Sequence, residues 1–327
     1  MEPRPDSRTG RRTSRRGGAQ ADPGAGALTT PWPDTLSALA PAKVNLFLHV
    51  AAPGSDGYHP LSSLVAFADV GDRVWVTHAD RLSLTVTGPF AAALAGDDDN
   101  LILRGMRELG HVAGIGEPSL AITLEKTLPI AAGLGGGSSD AGVALKLATK
   151  ALGLHLTEAE LAGLSRVVGA DGPMCLAARS AWAEGVGDRL TFEPALPPLH
   201  AVLANPGRPS PTGAVYCAYD AGATRSADRP DPPADWSPAT VIDWLARQRN
   251  DLQSPAVALE PEIGAALSAM AATGARLTRM SGSGATVFGL FEDAAAAAGA
   301  AAALRDNHGD WWIEATVLGG DAATAGP

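Results

Sequence analysis

Residues 129–140 read PIAAGLGGGSSD, four glycines and two serines in twelve positions, followed at once by an apolar stretch. No other segment restricts the fold as much. Backbone without side chains approaches a ligand closely, and successive N–H groups turned inward form a cradle for anionic oxygens. From Ala141 to Leu152 the spacing puts Val143, Leu147 and Ala151 on one helical face, with Gly153 as a stop. A helix starting near Ser138 is expected, its N-terminal amides and dipole favouring phosphate. Two commoner glycine motifs are excluded. The chain has no Gly-Lys pair, so it lacks the Walker sequence, and Ser138 and Asp140 stand where a dinucleotide fingerprint needs its third glycine. By itself such a run is equally an ordinary flexible helix entry.

At 327 residues the chain exceeds one typical core and predicts two packed domains. Extended, alternating stretches are expected over 37–50, around Val74 and Val76, over 82–86 and 119–125, and later near 181–184, 189–192 and 201–204. Helices are expected over 100–111, from a Thr157/Glu160 capping box to Val168, and over 211–219, 238–247 and 255–271. Strands at 276–280 and 285–291 flank SGSG, and a helix over 293–304 precedes a last strand at 311–317. Strands and helices mixed without regular alternation indicate an α+β fold. The polar, proline-rich segment 221–237 reads as a mobile surface loop.

Residues 1–30 hold six arginines against three acids, a net +3, so the remaining residues carry −13 of the total of −10. Few large apolar side chains occur there, and disorder is expected over 1–34; an upstream start site would account for the segment equally well. No apolar region follows the paired arginines, which argues against export. The acidic remainder argues against a nucleic-acid groove but not against a nucleotide, since a loop of amides is locally positive. No stretch is long and apolar enough for a membrane span, and Cys175 and Cys217 offer neither metal spacing nor a disulfide framework. A cytoplasmic setting is the expectation.

The glycine run, APAKVNLFLHV (40–50), GYHPL (57–61), GADGPM (169–174) and RMSGSGATVF (279–288) occur in an order that resembles the GHMP kinases. The resemblance covers about Leu39 to Phe291. It implies a two-domain α+β architecture with the active site between the domains, 35–196 forming the ATP-binding domain and 197–320 the C-terminal one. It further implies phosphoryl transfer from ATP, with Mg²⁺, to a small-molecule alcohol. Pro129, Ile130, Ala131, Ala132, Gly133, Leu134, Gly135, Gly136, Gly137, Ser138 and Ser139 would hold the nucleotide. Asp171 matches the family's catalytic base and Lys43 its cationic partner. Without the resemblance they would read as a turn aspartate and a snorkelling lysine. Asp140, at the end of the loop, ranks below Asp171 as base.

Within the family, the Gly-Tyr-His segment is similar to that of the branch whose acceptor is the 2-hydroxyl of 4-diphosphocytidyl-2-C-methyl-D-erythritol, in non-mevalonate isoprenoid synthesis. Tyr58, His59 and Asn45 would then contact the cytidylyl substrate. Homoserine or mevalonate kinase is the alternative enzyme, and a silent nucleotide-sensing relative the alternative class. SGSG (281–284) would pack near the phosphates, while Asn250-Asp251 reads as a helix start. Gly172 departs from the family pattern, in which an apolar residue follows the aspartate, and so puts the geometry of that turn in question. The ligands of the metal and the oligomeric state are left open.

Overall fold

Two long strands organise the chain. The computed structural model describes residues 35–94, 100–222 and 226–319; the N-terminal extension expected over 1–34 lies outside them. Strand β1 (Leu36–Val50) runs where the sequence predicts, but from Ala40 onward every residue is buried, Asn45 included. Strand β2 (Leu61–His78) is far longer than the alternation around Val74 and Val76 indicates. Its outer half alternates; residues 62–68 are buried without a break, covered on both faces, so no period of two marks them.

β1 pairs with β2 antiparallel along nearly its whole length, with register shifts between Pro41 and Lys43 and between Asn45 and Phe47. Such irregularities re-aim side chains locally, and here they bracket two residues of the cleft. The other edge of β2 is shared. Strand β4 (Leu120–Glu125), to which β3 (Ser83–Thr87) adds in parallel, takes Arg73–His78; β5 (Ala181–Gly185), extended by β6 (Arg189–Phe192), takes Leu61–Val65. A second antiparallel group runs β10-β7-β9-β8, made of β7 (Leu199–Asn205), β8 (Leu277–Met280), β9 (Val287–Phe291) and β10 (Trp312–Leu318). It joins the first where Leu318 meets Ala68.

Helices α1 (Leu101–Ala113), α2 (Gly136–Ala151), α3 (Glu158–Ser165) and α4 (Gly172–Ala177) cover the first group. Asn100 caps α1, accepting from the Ile102 amide, and Thr157 and Glu160 close the predicted capping box of α3. Ile102, Met106, Val143 and Leu147 pack on Val74, Val76, Ile122 and Leu124. The second group is covered by α5 (Thr212–Asp220), α6 (Pro238–Ala246), α7 (Gln253–Leu259), α8 (Pro261–Ala272) and α9 (Ala294–Asn307). Phe47, Trp182 and Trp244 meet edge-to-face at 5.7–6.1 Å between ring centroids, tying β1, β5 and α6 into one core. Buried Arg279 donates to the carbonyls of Leu46, Leu245 and Gln248 and fixes β8 against β1.

One expectation is corrected. The helix predicted over 255–271 is two, because a residue before proline is driven from the helical region: Glu260, ahead of Pro261, lies at φ −134°, ψ 93°. The described part of 221–237 is a surface loop, as expected, with polar contacts to its surroundings. Arg229 lies 4.0 Å over the Trp182 ring, and the Asp231 and Ser226 carbonyls accept from Trp244 Nε1 and Arg249.

Candidate active site

The glycine run leaves β4, crosses in front of β1 and enters α2. Gly135, in the left-handed region at φ 62°, precedes the first helical turn. Ser139 N donates to Gly135 O, so the amides of Gly136, Gly137 and Ser138 are left without an intrahelical partner. The helix therefore begins two residues before the predicted Ser138. The loop is clamped from beneath by groups distant in sequence. Leu134 O accepts from Lys43 N, Ala132 O from Thr286 N, and Gly133 O from Ser281 Oγ at 2.9 Å. A Cβ at Gly133, which has φ 73°, would come within 2.3 Å of the Ser281 carbonyl. SGSG thus packs directly against the loop, as expected. Asn250 holds it there by donating to Met280 O and Gly282 O, a role beyond the helix start read from its sequence.

Above the loop opens a cleft of about 730 Å³. Its walls include every residue from Pro129 to Ser138, together with Lys43, Asn45, Asp171 and Tyr216. Lys43 Nζ donates to Asp171 Oδ2 at 3.0 Å; the lysine side chain is 7% exposed and the carboxylate 39%. The pair joins β1 to the start of α4 across Gly135, whose added Cβ would stand 3.3 Å from Lys43 Cε and from Cys175 Sγ. Burial and the Asp171 charge push the Cys175 thiol up to about 12, so it is an inert neighbour. Gly172 does not loosen this corner. A Cβ there would lie 1.9 Å from the Ser165 carbonyl, so the glycine lets α4 seat closely on the end of α3.

Asn45 is buried at the cleft wall, with Nδ2 donating to Ser63 Oγ at 2.8 Å and Oδ1 without a partner. Ser139 is fully buried beside the Cys175 thiol and is not part of the cleft lining. Tyr58 stands on the 53–59 turn, 64% exposed and outside the cleft lining. His59 is instead drawn to α5: Nε2 lies 2.6 Å from Asp220 Oδ1, and its ring is 4.7 Å from Tyr216. Sequence reasoning passed over Tyr216, whose only signal is its place four residues ahead of Asp220 on a helix facing the cleft. It also passed over a buried ion cluster beneath the loop, where Lys126 donates to both Asp72 and Asp140. Burial, reinforced by the Asp72 charge, pushes the Asp140 carboxyl up to about 8 against the opposing pull of Lys126. Among the described residues no three carboxylates, histidines or cysteines gather into a metal site, and no helix is long and apolar enough to cross a membrane.

Chemically, the cleft offers a row of free amides for anionic oxygens and, opposite them, a carboxylate steered by an ammonium. Family models match residues 100–179 (GHMP kinases N terminal domain) and 239–310 (GHMP kinases C terminal). The chain is 51% identical over 289 residues to a 4-diphosphocytidyl-2-C-methyl-D-erythritol kinase of Caulobacter sp. (strain K31), covering 87% of this chain and 99% of that one. A crystal structure of 4-(cytidine 5'-diphospho)-2C-methyl-D-erythritol kinase aligns at TM-score 0.71 with 38% identity, over 87% of this chain and all of the other. The homoserine kinase of Cytophaga hutchinsonii shares the fold at TM-score 0.59 and 18% identity, over 89% and 96% of the two chains.

Proposed function

The chain belongs to the 4-diphosphocytidyl-2-C-methyl-D-erythritol kinases of the GHMP family, and from that membership we infer how its cleft performs the reaction. It is a small-molecule kinase that transfers a phosphoryl group from ATP to 4-diphosphocytidyl-2-C-methyl-D-erythritol. The 2-hydroxyl is the acceptor in this reading. The observation that carries the mechanism is the Lys43–Asp171 pair, 3.0 Å apart, facing the glycine run.

Phosphoryl transfer asks the protein mainly to position groups and to neutralise charge. The free amides of Gly136, Gly137 and Ser138 bind phosphate oxygens at the positive end of α2. Asp171 accepts a hydrogen bond from the acceptor hydroxyl and takes its proton as the bond from that oxygen to the γ-phosphorus forms. The bond from phosphorus to the bridging oxygen breaks, and ADP leaves. Lys43 orients the Asp171 carboxylate through their 3.0 Å hydrogen bond. Asp140 is a poor rival as base, because Lys126 occupies one of its oxygens and its side chain is only 3% exposed at the cleft wall. Mg²⁺ belongs to this reading as a charge carried in on the nucleotide's phosphates. The described residues build no cage for it.

Asn45, His59 and Tyr216 form the substrate end. An aromatic face stacks on a pyrimidine, and hydrogen-bonding groups supply its identity. Tyr58 would reach that base only by turning inward from its exposed position. The same reading divides the chain near 196/197, ahead of β7, into an ATP-binding domain over 35–196 and a C-terminal domain over 197–320. The test is ADP release from ATP and Mg²⁺ with the cytidylyl compound, mevalonate or homoserine as acceptor. Turnover confined to the first, and lost on Asp171→Asn while ADP still binds, is expected. Equal turnover of wild type and Asp171→Asn would overturn the assignment of the base.

A further inference from the structure

Beneath the glycine run lies a group of charges that the transfer step leaves unused. Lys126 follows β4, Asp72 lies within β2, and Asp140 sits in the second turn of α2; their side chains are 3%, 0% and 3% exposed. The Lys126 ammonium donates to Asp72 Oδ2 and, at 2.8 Å, to Asp140 Oδ2. Asp72 Oδ1 is filled by the amides of Thr127 and Leu128 at 2.6 and 2.8 Å. Asp140 Oδ1 has no partner. One ammonium therefore serves two carboxylates, and with both ionised a net negative charge would be buried there. It would also lie close under an anion site. A Cβ at Gly136 would stand 2.9 Å from Lys126 Nζ and 3.6 Å from Asp72 Oδ2.

Among the described residues, Lys126 is the cation bonded to these two carboxylates. Lys43, on β1, is engaged by Asp171. The Cys175 thiol of α4 stays neutral. The buried face of α1 offers Ile102, Gly105, Met106 and Leu109, and that of α3 offers Leu164 and Ser165. An uncompensated charge in such surroundings is resolved by taking up a proton.

We propose that the cluster is a proton-holding site: Asp140 is a neutral acid at neutral pH, and phosphates arriving on the loop above hold its proton more firmly. The proton's effect is to keep the floor of the phosphate site electrically neutral while Lys126 still anchors α2 to β2. Asparagine has the shape of aspartic acid without its titration, so Asp140→Asn should bind ADP as well as wild type does at pH 7 and better at pH 9. Only the response to phosphates rests on the nucleotide reading; the proton on the free protein does not.

The experiment is an infrared and ¹³C-carboxyl NMR titration of the full chain, alone and with saturating ADP. A signal of un-ionised carboxylic acid is expected at pH 7. It should titrate away near pH 8, be missing from Asp140→Asn, and move up by about one unit with ADP, a tenfold change in proton affinity. An Asp140 already ionised at pH 6 overturns the proposal, as does a midpoint unmoved by ADP whose binding is confirmed calorimetrically. Failure of ADP to bind would sink the nucleotide reading and the phosphate response with it, while the free-protein titration still decides whether the proton is there.

Discussion

Replacing Gly172 by alanine adds one methyl group at the corner that carries Asp171, the proposed base. The backbone there does not need glycine for its dihedrals; what it needs is the space. The new Cβ would begin 1.9 Å from the Ser165 carbonyl oxygen, against the 3.0 Å below which such contacts essentially do not occur. The oxygen is main chain at the end of α3, so it cannot rotate aside, and α4 must back away by at least 1.1 Å, the difference of those distances. Overpacking of this kind costs about 1–3 kcal/mol of stability. Asp171 immediately precedes the residue that moves, and a misplacement of roughly 1 Å at a reacting group lowers turnover by about 10²-fold. Thermal unfolding and steady-state kinetics with saturating ATP measure the two effects on one preparation. The unfolding midpoint should drop, and kcat should drop more than ADP affinity does, because the glycine run is not displaced. A variant with wild-type kcat and midpoint would refute the claim that close seating of α4 fixes the aspartate.

Gly133→Ala strains both the backbone, at φ 73°, and the 2.3 Å approach to Ser281 O, so calorimetric ADP affinity should fall markedly while the fold persists. Tyr216→Ala removes a ring from the substrate end; stacking of about 1–3 kcal/mol predicts a KM for the cytidylyl compound raised roughly 5- to 150-fold, with KM for ATP unchanged. Asp140 has its carboxyl raised on folding, so the folded chain binds the extra proton and stability declines as pH rises from the ordinary carboxylate range toward about 8. Denaturant unfolding of Asp140→Asn should lack that decline, the gap from wild type widening by at most about 1.4 kcal/mol per pH unit; parallel pH profiles would contradict it.

The glycine run was legible because it is one short contiguous stretch; Lys43 and Asp171, 128 positions apart, were picked out only by resemblance to the family's motifs. The cluster under the loop was not. Asp72, in Val-Gly-Asp-Arg, reads as a turn, and only the pairing of β2 with β4 brings it to the Thr127 amide. One clue stood in the composition: the chain has only four lysines, at 43, 126, 146 and 150, and two of them line the cleft. A compact ammonium fits between two carboxylates where a planar guanidinium does not. Asn45 was foreseen as a binding residue, but its burial was not, since a strand covered on both faces leaves no alternation to read. The break ahead of Pro261 was legible and was overridden by the apolar periodicity around it. Tyr216 depended on how α5 docks, which no local pattern records.

Strand β10 lies between β2 and β7, paired with β7 from Trp312 to Leu318 and reaching β2 at Ala68, where Asp69 also accepts from Thr316 and the Val317 amide. Among the described strands it is the last to leave the ribosome. Until it does, a nascent chain carries the complete set of groups around Lys43 and Asp171 yet has an open slot between two apolar strand edges. Such edges invite pairing with other chains. A premature stop ahead of Trp312 would therefore remove none of the reacting groups, and its product would be expected to fail through aggregation during synthesis.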